Sequence, residues 1–223
     1  MSRSRSKSRE EIAEAYDSPP WWYDARGFLI LTFAYNSTLG AQLRLFGKNI
    51  GERHLDIACG SGTLLQMTLK WRQRRKLPVG EVVAVDYAES MLAGAMKRFA
   101  NDQRVTVKHA DAAELPFEDA GFDTVNIANS VHSFPDVDGA TQEAYRVLKP
   151  GGTLAANVLL YPRTAQPLRA IAEGINRWGM RKGILHTPYT AEDIRARFTG
   201  AGFEVVEAAV SGNCYNLLLR KPE

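Results

Sequence analysis

Small residues and a carboxylate lie together near the end of the first quarter of the chain. From His54 to Leu65 the sequence reads His-Leu-Asp-Ile-Ala-Cys-Gly-Ser-Gly-Thr-Leu-Leu. An apolar, β-prone segment therefore passes through small residues into a helical segment. A strand, a glycine turn and a helix N-terminus in this order let the backbone approach a nucleotide-like ligand closely. We therefore expect a ligand-binding turn between Ala58 and Gly62.

Two carboxylates further along the chain could complete such a site. The apolar segment Glu-Val-Val-Ala-Val-Asp ends in Asp86, 24 residues after Gly62. A carboxylate at that position can accept hydrogen bonds from both hydroxyls of a ribose. A third predicted strand ends in Ala110-Asp111-Ala112, where Asp111 could accept a hydrogen bond from an adenine amino group.

The turn itself separates two kinds of cofactor. Both a dinucleotide and an adenosyl ligand would use Asp86 in the same way. The turn, however, reads Ala58-Cys59-Gly60-Ser61-Gly62, so it lacks the third glycine of the Gly-x-Gly-x-x-Gly pattern, which allows a helix to close on a pyrophosphate. The pattern favours an adenosyl ligand, and an NAD-dependent oxidoreductase is the rival enzyme.

Strands and helices alternate around these residues. Short, continuously apolar strands between helices indicate a parallel sheet covered on both faces. A link of only three residues near the C-terminus predicts an antiparallel hairpin, because parallel strands need a long crossover. The fold class is therefore α/β, with a Rossmann-like, doubly wound, seven-stranded and mostly parallel sheet. The predicted strands are Leu55–Ala58, Glu81–Asp86, Val105–Ala110, Phe122–Ala128, Gly152–Leu160, Phe203–Val210 and Cys214–Arg220, and the helices between them are Thr63–Arg75, Glu89–Ala100, Asp138–Leu148 and Ala191–Thr199.

Four motifs in order give the chain a family resemblance. It resembles the class I S-adenosylmethionine-dependent methyltransferases, in the small-molecule group that includes the ubiquinone and menaquinone C-methyltransferases. The resemblance covers roughly residues 53–220, and Ala58 departs from it because many members have a glycine there. The motifs are Leu-Asp-Ile-Ala-Cys-Gly-Ser-Gly-Thr at 55–63, Val-Asp-Tyr-Ala-Glu-Ser-Met-Leu at 85–92, Asp-Ala-Ala-Glu-Leu-Pro-Phe at 111–117 and Arg-Val-Leu-Lys-Pro-Gly-Gly at 146–152.

The resemblance implies a cofactor, S-adenosyl-L-methionine, and a role for each matching residue. Asp56, Ala58, Gly60 and Gly62 would border its methionine part, Asp86 the ribose, Tyr87 and Ala112 the faces of adenine, Met91 the same region within the second motif, Asp111 the adenine amino group, and Asn129 the methionine end and the acceptor. The product would be S-adenosyl-L-homocysteine.

The implied reaction is an in-line displacement of a methyl group from a sulfonium. The cofactor is already activated, so the protein mainly positions it, and a base is needed only if the acceptor loses a proton. His132, just beyond the fourth strand, is the candidate base or substrate contact, and a structural histidine is the alternative. Tyr23 is the candidate for closing over the cofactor, where an aromatic face attracts a cation, and packing is its alternative. A protein that binds the cofactor without turnover is a further alternative.

Apolar segments outside the motifs point to a lipophilic acceptor. Residues 28–35 are apolar nearly all round, within a helical stretch predicted over 28–46, and Leu168, Ile171, Ile175 and Trp178 recur at helical spacing. They predict walls for a quinone-like ring, a lipid headgroup or a natural product, with ordinary packing as the alternative. No Asn/Asp-Pro-Pro-Tyr pattern follows the fourth strand, so nucleic acid is not expected as a partner.

Composition sets the remaining bounds. The 223 residues carry a formal net charge of +3, which is too small to imply nucleic acid. We divide the chain into an N-terminal tail and helical cap (1–52) and a methyltransferase domain (53–223) with a lid-like insertion (161–189).

Cys59 and Cys214 give neither a disulfide framework nor metal-ligand spacing. No secretory signal is recognisable, so a cytoplasmic protein is expected, with peripheral membrane contact through the N-terminal region as an alternative.

Overall fold

The fold is built on one seven-stranded sheet, seen in a computed structural model that describes residues 38–163, 166–182 and 189–223. The strand order is β3-β2-β1-β4-β5-β7-β6. Strands β1 to β5 pair in parallel, and β7 is antiparallel to both of its neighbours. The strands are β1 (Arg53–Ile57), β2 (Glu81–Asp86), β3 (Val105–His109), β4 (Phe122–Ile127), β5 (Leu148–Leu159), β6 (Glu204–Ser211) and β7 (Cys214–Arg220).

Helices follow most strands and cover the sheet. A short 3₁₀ turn, Val131–Ser133, follows β4. Within the described residues, no helix is long and apolar enough to cross a membrane. The helices are α1 (Leu39–Lys48), α2 (Thr63–Arg74), α3 (Glu89–Phe99), α4 (Val137–Val147), α5 (Leu168–Lys182) and α6 (Ala191–Gly200).

The apolar residues of the central strands divide between the two faces of the sheet. Val83 and Val85 of β2 belong to the larger core, which α4 and α6 share, whereas Val82 and Ala84 face a smaller core with residues of α2 and α3. Successive side chains of a strand point to opposite faces. A strand buried on both faces must therefore be continuously apolar, as the sequence of β2 is.

The direction in which strands are added reverses beside β1. The chain builds β2 and β3 on one side of β1, then returns to place β4 and β5 on its other side. The loops that leave β1 and β4 consequently diverge at the carboxyl edge of the sheet. In doubly wound sheets this reversal is where ligands bind.

The predicted C-terminal hairpin is confirmed and lies against the same edge. Ser211 pairs with Cys214, so that Gly212 and Asn213 form the turn. Asn213 is fully buried, and its backbone oxygen and its Oδ1 accept hydrogen bonds from the backbone N–H groups of Leu160 (2.7 Å) and Arg163 (2.8 Å). The hairpin turn therefore fixes the start of the insertion at the carboxyl edge.

The apolar spacing located the helix of the insertion. On α5, Ala172 and Asn176 are buried, Ile175 and Trp178 are half-buried, and Ile171 is 46% exposed. The predicted stripe therefore lies beside the most buried positions of the helix, and both interpretations of it, packing on the sheet edge and facing a substrate, stay predictions; the Leu168 side chain lies outside the described residues.

The helix predicted over 28–46 is described only from α1 onward. Thr38 caps α1, because its side chain accepts a hydrogen bond from the backbone N–H of Ala41. The threonine that interrupts the apolar pattern therefore starts this helix. Residues 28–37, including most of the apolar run, lie outside the described part of the chain.

Candidate functional site

A cleft opens at the carboxyl edge of the sheet, where the strand order reverses. Its empty volume, which includes space open to solvent, is about 780 Å³. The residues that line it come from the ends of β1 and β2, the start of α3 and the segments after β1, β2, β3 and β4. They are Ile57, Ala58, Gly60, Val85, Asp86, Tyr87, Ala88, Met91, Ala110, Asp111, Ala112, Asn129, Ser130, Ser133, Phe134 and Pro135.

The turn after β1 depends on three residues with left-handed backbone. Ala58 and Gly60 have φ of 57°, and Gly62 has φ of 76°. At Gly62 a Cβ atom would lie 2.6 Å from Cε2 of Phe99, so α3 packs directly on this glycine. Ala58 keeps the turn although a non-glycine residue costs about 1–2 kcal/mol in this conformation.

Asp86 links this turn to the end of β2. Its Oδ2 accepts a hydrogen bond from the Gly60 N–H at 2.8 Å, and its Oδ1 accepts one from the Ala88 N–H at 2.9 Å. A carboxylate oxygen has two lone pairs, so each oxygen keeps capacity for a ligand hydroxyl. The carboxylate could therefore accept hydrogen bonds from the two hydroxyls of a ribose.

A second carboxyl group, Asp56, lies behind the turn. Its side chain is 6% exposed, and Asp56 is not among the residues that line the cleft. Burial and, to a smaller extent, the neighbouring Asp86 raise the pKa of Asp56 to about 7. Burial also raises the pKa of Asp86, while hydrogen bonds from the Ala88 and Gly60 N–H groups oppose that shift.

The side of the cleft at β2 and β3 combines apolar surfaces with one carboxylate. Tyr87, Met91 and Ala112 line it together with Asp111. Oδ1 of Asp111 accepts a hydrogen bond from the Ala113 N–H at 2.9 Å, which orients the carboxylate. These residues could hold the two faces of a planar base and an exocyclic amino group.

Helix α4 holds the loop that carries Asp111. Glu143 Oε2 accepts a hydrogen bond from the Leu115 N–H at 2.7 Å. Arg146 donates to the backbone oxygens of Leu115 (3.0 Å) and Phe117 (2.7 Å) and pairs with Glu143. Hydrogen bonds that Arg146 donates to the Glu143 carboxylate lower the pKa of Glu143. The same hydrogen bonds raise the pKa of Arg146. The Leu-Pro-Phe segment is therefore fixed by backbone contacts.

The β4 side of the cleft is formed partly by residues that the sequence motifs do not mark. Asn129 lines it as predicted, with Ser133, Phe134 and Pro135 beyond it. The residue before a proline favours extended or turn backbone. Phe134-Pro135 was therefore a sequence signal for an extended turn after β4. Gly62 and Asp56 lie behind the lining residues.

The two predicted catalytic residues are not among the lining residues that the structure describes. His132 is 7% exposed, and burial lowers its pKa to about 3, so its imidazole is neutral near pH 7. Tyr23 lies outside the described part of the chain. Catalytic roles for His132 and Tyr23 stay predictions.

Comparison with known proteins agrees with this geometry. Residues 55–156, which contain the glycine turn, Asp86 and Asp111, match the family model described as a methyltransferase domain. This segment of the chain is therefore similar to methyltransferase domains. The matched segment ends within β5, so α5, α6 and the hairpin lie outside it.

A curated relative and two solved structures give the range of the similarity. Demethylmenaquinone methyltransferase of Staphylococcus aureus is 32% identical over 145 residues, which are 65% of this chain and 58% of that protein. The chain thus spans less than two thirds of the length of this relative. One similar structure is a chain in the complex of the Haloferax volcanii Trm112 methyltransferase activator with a methyltransferase. It superposes with a TM-score of 0.71 and 18% identity, over 95% of this chain and 98% of that chain. A Thermotoga maritima methyltransferase superposes with a TM-score of 0.66, 23% identity and coverage of 94% and 99%.

The raised pKa of Asp56 predicts a pH-dependent loss of stability. Because the folded protein binds a proton at Asp56 up to about pH 7 while the unfolded chain releases it near pH 4, stability falls as pH rises between these values. Asp56→Asn removes this loss. Urea unfolding without cofactor should show the variant gaining about 3 kcal/mol on wild type between pH 4 and pH 8.

A control variant should respond with the opposite sign. A hydrogen bond from Lys149 lowers the pKa of Asp123, so Asp123→Asn should lose stability relative to wild type as pH rises above about 4. If Asp56→Asn shows no pH-dependent gain, then the Asp56 carboxyl is ionised in the folded protein at neutral pH.

Proposed function

We propose that this protein transfers the methyl group of S-adenosylmethionine to a small, lipophilic acceptor. The observation that carries the proposal is the Asp86 carboxylate, held by two backbone N–H groups at the strand-order reversal. Both of its oxygens retain lone-pair capacity, and Asp86 lines the cleft. An adenosyl ribose is the ligand group that this arrangement fits best.

The rest of the cofactor follows from the order of the strands. Asp111, Tyr87 and Ala112 lie on the β2 and β3 side and would hold adenine. The turn around Gly60 follows β1 and would lie against the methionine part, where the absence of side chains permits close backbone approach. Asn129 follows β4, and the acceptor would enter beside it.

In this reaction the main task of the protein is to orient the cofactor and the acceptor. The acceptor atom forms a bond to the methyl carbon as the carbon–sulfonium bond breaks, and S-adenosylhomocysteine leaves. Holding the two reactants in line supplies most of the catalysis. Because burial lowers the pKa of His132 to about 3, its imidazole is a weak base, and a base role would require both access to the acceptor and a higher pKa in the complex.

Two observations support a lipophilic acceptor. Phe134 and Pro135 give the β4 side of the cleft an apolar wall, and the relative from Staphylococcus aureus bears the name of a demethylmenaquinone methyltransferase. Demethylmenaquinone is a naphthoquinone with a lipid tail. A quinone-like ring is therefore our first choice among lipophilic acceptors, before a lipid headgroup or a natural product.

Ligand-dependent stabilisation tests the cofactor assignment. At 100 times its dissociation constant, S-adenosylhomocysteine should stabilise the protein by about 2.7 kcal/mol, and NAD should have no effect. Asp86→Ala should abolish the response, while Glu118→Ala, an exposed acidic residue outside the cleft, should retain it. Thermal-shift titration measures all four cases. A response to NAD alone, or an unchanged response of Asp86→Ala, would contradict the assignment.

Turnover tests the reaction and the acceptor class. Under anaerobic conditions, 1,4-naphthohydroquinone should receive a labelled methyl group from S-adenosylmethionine. A ring carbon forms the new bond, its proton is released, and the products are 2-methyl-1,4-naphthohydroquinone and S-adenosylhomocysteine. Mass spectrometry identifies them. Methylation only of polar amines such as phosphoethanolamine would refute the lipophilic acceptor. Tight cofactor binding with no methylated product from a panel of acceptors would favour the non-catalytic alternative.

A further inference from the structure

Three carboxamide side chains meet behind the β4 end of the cleft. They belong to Gln42 of α1, Asn129 after β4, and Asn157 of β5. In the sequence, Gln42 lies 87 residues and Asn157 lies 28 residues from Asn129. Gln42 is 1% exposed and Asn157 is fully buried, whereas Asn129 lines the cleft. The proposed reaction so far uses neither Gln42 nor Asn157.

One backbone group fixes the orientation of the cluster. The Asn129 N–H can only donate, and Oδ1 of Asn157 accepts its hydrogen bond at 2.6 Å. The Asn157 side chain must therefore direct its Nδ2 group to the Asn129 Oδ1, at 2.7 Å. An amide oxygen and nitrogen are otherwise hard to tell apart, but here the backbone donor decides between them.

The same reasoning extends to Gln42. Its Nε2 group donates to Oδ1 of Asn129 (3.3 Å), and its Oε1 accepts from Nδ2 of Asn129 (3.1 Å), so the two amides form a cyclic pair. Oδ1 of Asn129 thus accepts two hydrogen bonds, from Asn157 and Gln42, which is its usual capacity. Of the two Nδ2 hydrogens, the pair uses one, and within the described part of the chain no partner takes the other.

This remaining donor belongs to a part of the cleft that Ser130, Ser133, Phe134 and Pro135 also line. Asn129 lies on the opposite side of β1 from Asp86 and Asp111, which we assign to the cofactor. The Ser130 hydroxyl donates to the backbone oxygen of Ala128 at 2.9 Å, and Phe134 is apolar. A single N–H beside an apolar wall suits a flat apolar ring that carries an oxygen.

We propose that Asn129 recognises the methyl acceptor through a hydrogen bond from its Nδ2 to an acceptor oxygen, and that Gln42 and Asn157 are positioning residues for this donor. The inference rests on the proposed function and narrows its substrate class to oxygen-bearing rings, such as quinones, quinols and phenols. Asn129 has a φ of 56°, a conformation that asparagine adopts more readily than most residues. Gln42 also makes α1 part of the acceptor site.

Two probes of equal ring size test the recognition of oxygen. Wild-type protein saturated with S-adenosylhomocysteine should bind 2-methyl-1,4-naphthoquinone about 3- to 10-fold more tightly than 2-methylnaphthalene, the effect of one hydrogen bond. Asn129→Asp replaces the donor with a carboxylate oxygen, so the preference should disappear. The dissociation constant of 2-methylnaphthalene should stay within about 2-fold, and that of S-adenosylhomocysteine is measured in parallel because Asn129 is also expected near the methionine end of the cofactor. Asn101→Asp is the same change at an exposed position. It should leave the dissociation constants of 2-methyl-1,4-naphthoquinone, 2-methylnaphthalene and S-adenosylhomocysteine unchanged.

Gln42→Leu tests the positioning role and serves as the second route if Asn129→Asp does not fold. It should reduce the preference for the quinone without changing the affinity for S-adenosylhomocysteine. A residue that only packs would lower the melting temperature and leave the preference intact, and that result would overturn the positioning role.

Three other outcomes would overturn the acceptor assignment. If Asn129→Asp weakens S-adenosylhomocysteine by about 10-fold or more, the donor serves the cofactor carboxylate instead. If it leaves the quinone preference unchanged, the donor does not face the acceptor. If neither probe binds the wild-type complex with S-adenosylhomocysteine, the proposal of a lipophilic acceptor is also wrong. If S-adenosylhomocysteine itself does not bind, the proposed function is wrong.

Discussion

The Asp86 carboxylate joins two loops on which the whole site depends. Because Ile57 of β1 pairs with Val85 of β2, the turn after β1 and the end of β2 lie side by side. Asp86 then bridges them through the Gly60 and Ala88 N–H groups. A buried carboxylate is costly unless it is hydrogen-bonded, so the two donors offset that cost. The same bonds fix the left-handed turn and leave lone pairs directed toward a ligand.

Most of the sheet could be predicted because its strands are short and apolar on both faces. The bounds predicted for β2 and β7 are those observed, and the other strands differ mainly at their ends. β5 begins at Leu148 instead of Gly152, since the Lys-Pro-Gly-Gly segment, which has no apolar pattern, also pairs as strand. The antiparallel hairpin followed from the length of one link. Most of the residues predicted to hold the cofactor line the cleft, because they lie within contiguous motifs at strand ends; their roles stay predictions.

The acceptor side was less legible for physical reasons. The hydrogen bonds of Asn129 join residues 87 and 28 positions apart, and neither periodicity nor motif spacing encodes such polar contacts. The apolar pattern of α5 does not single out its most buried positions, because Ala172 and Asn176 carry little hydrophobic signal, while the more apolar Ile171 is exposed. Ser133 and Phe134 line the cleft, but the neighbouring His132 does not, because a 3₁₀ turn rotates successive side chains by about 120°. Catalytic roles and the two-part division of the chain remain expectations.

Hydrogen–deuterium exchange with and without S-adenosylhomocysteine tests most directly whether the cofactor lies against this edge of the sheet. The account predicts slower exchange in peptides that cover Ala58–Gly62, Asp86–Met91 and Asp111–Ala113, with the β6–β7 hairpin unchanged. NAD should alter none of them. Protection confined to other parts of the protein, despite demonstrated binding of S-adenosylhomocysteine, would contradict the account.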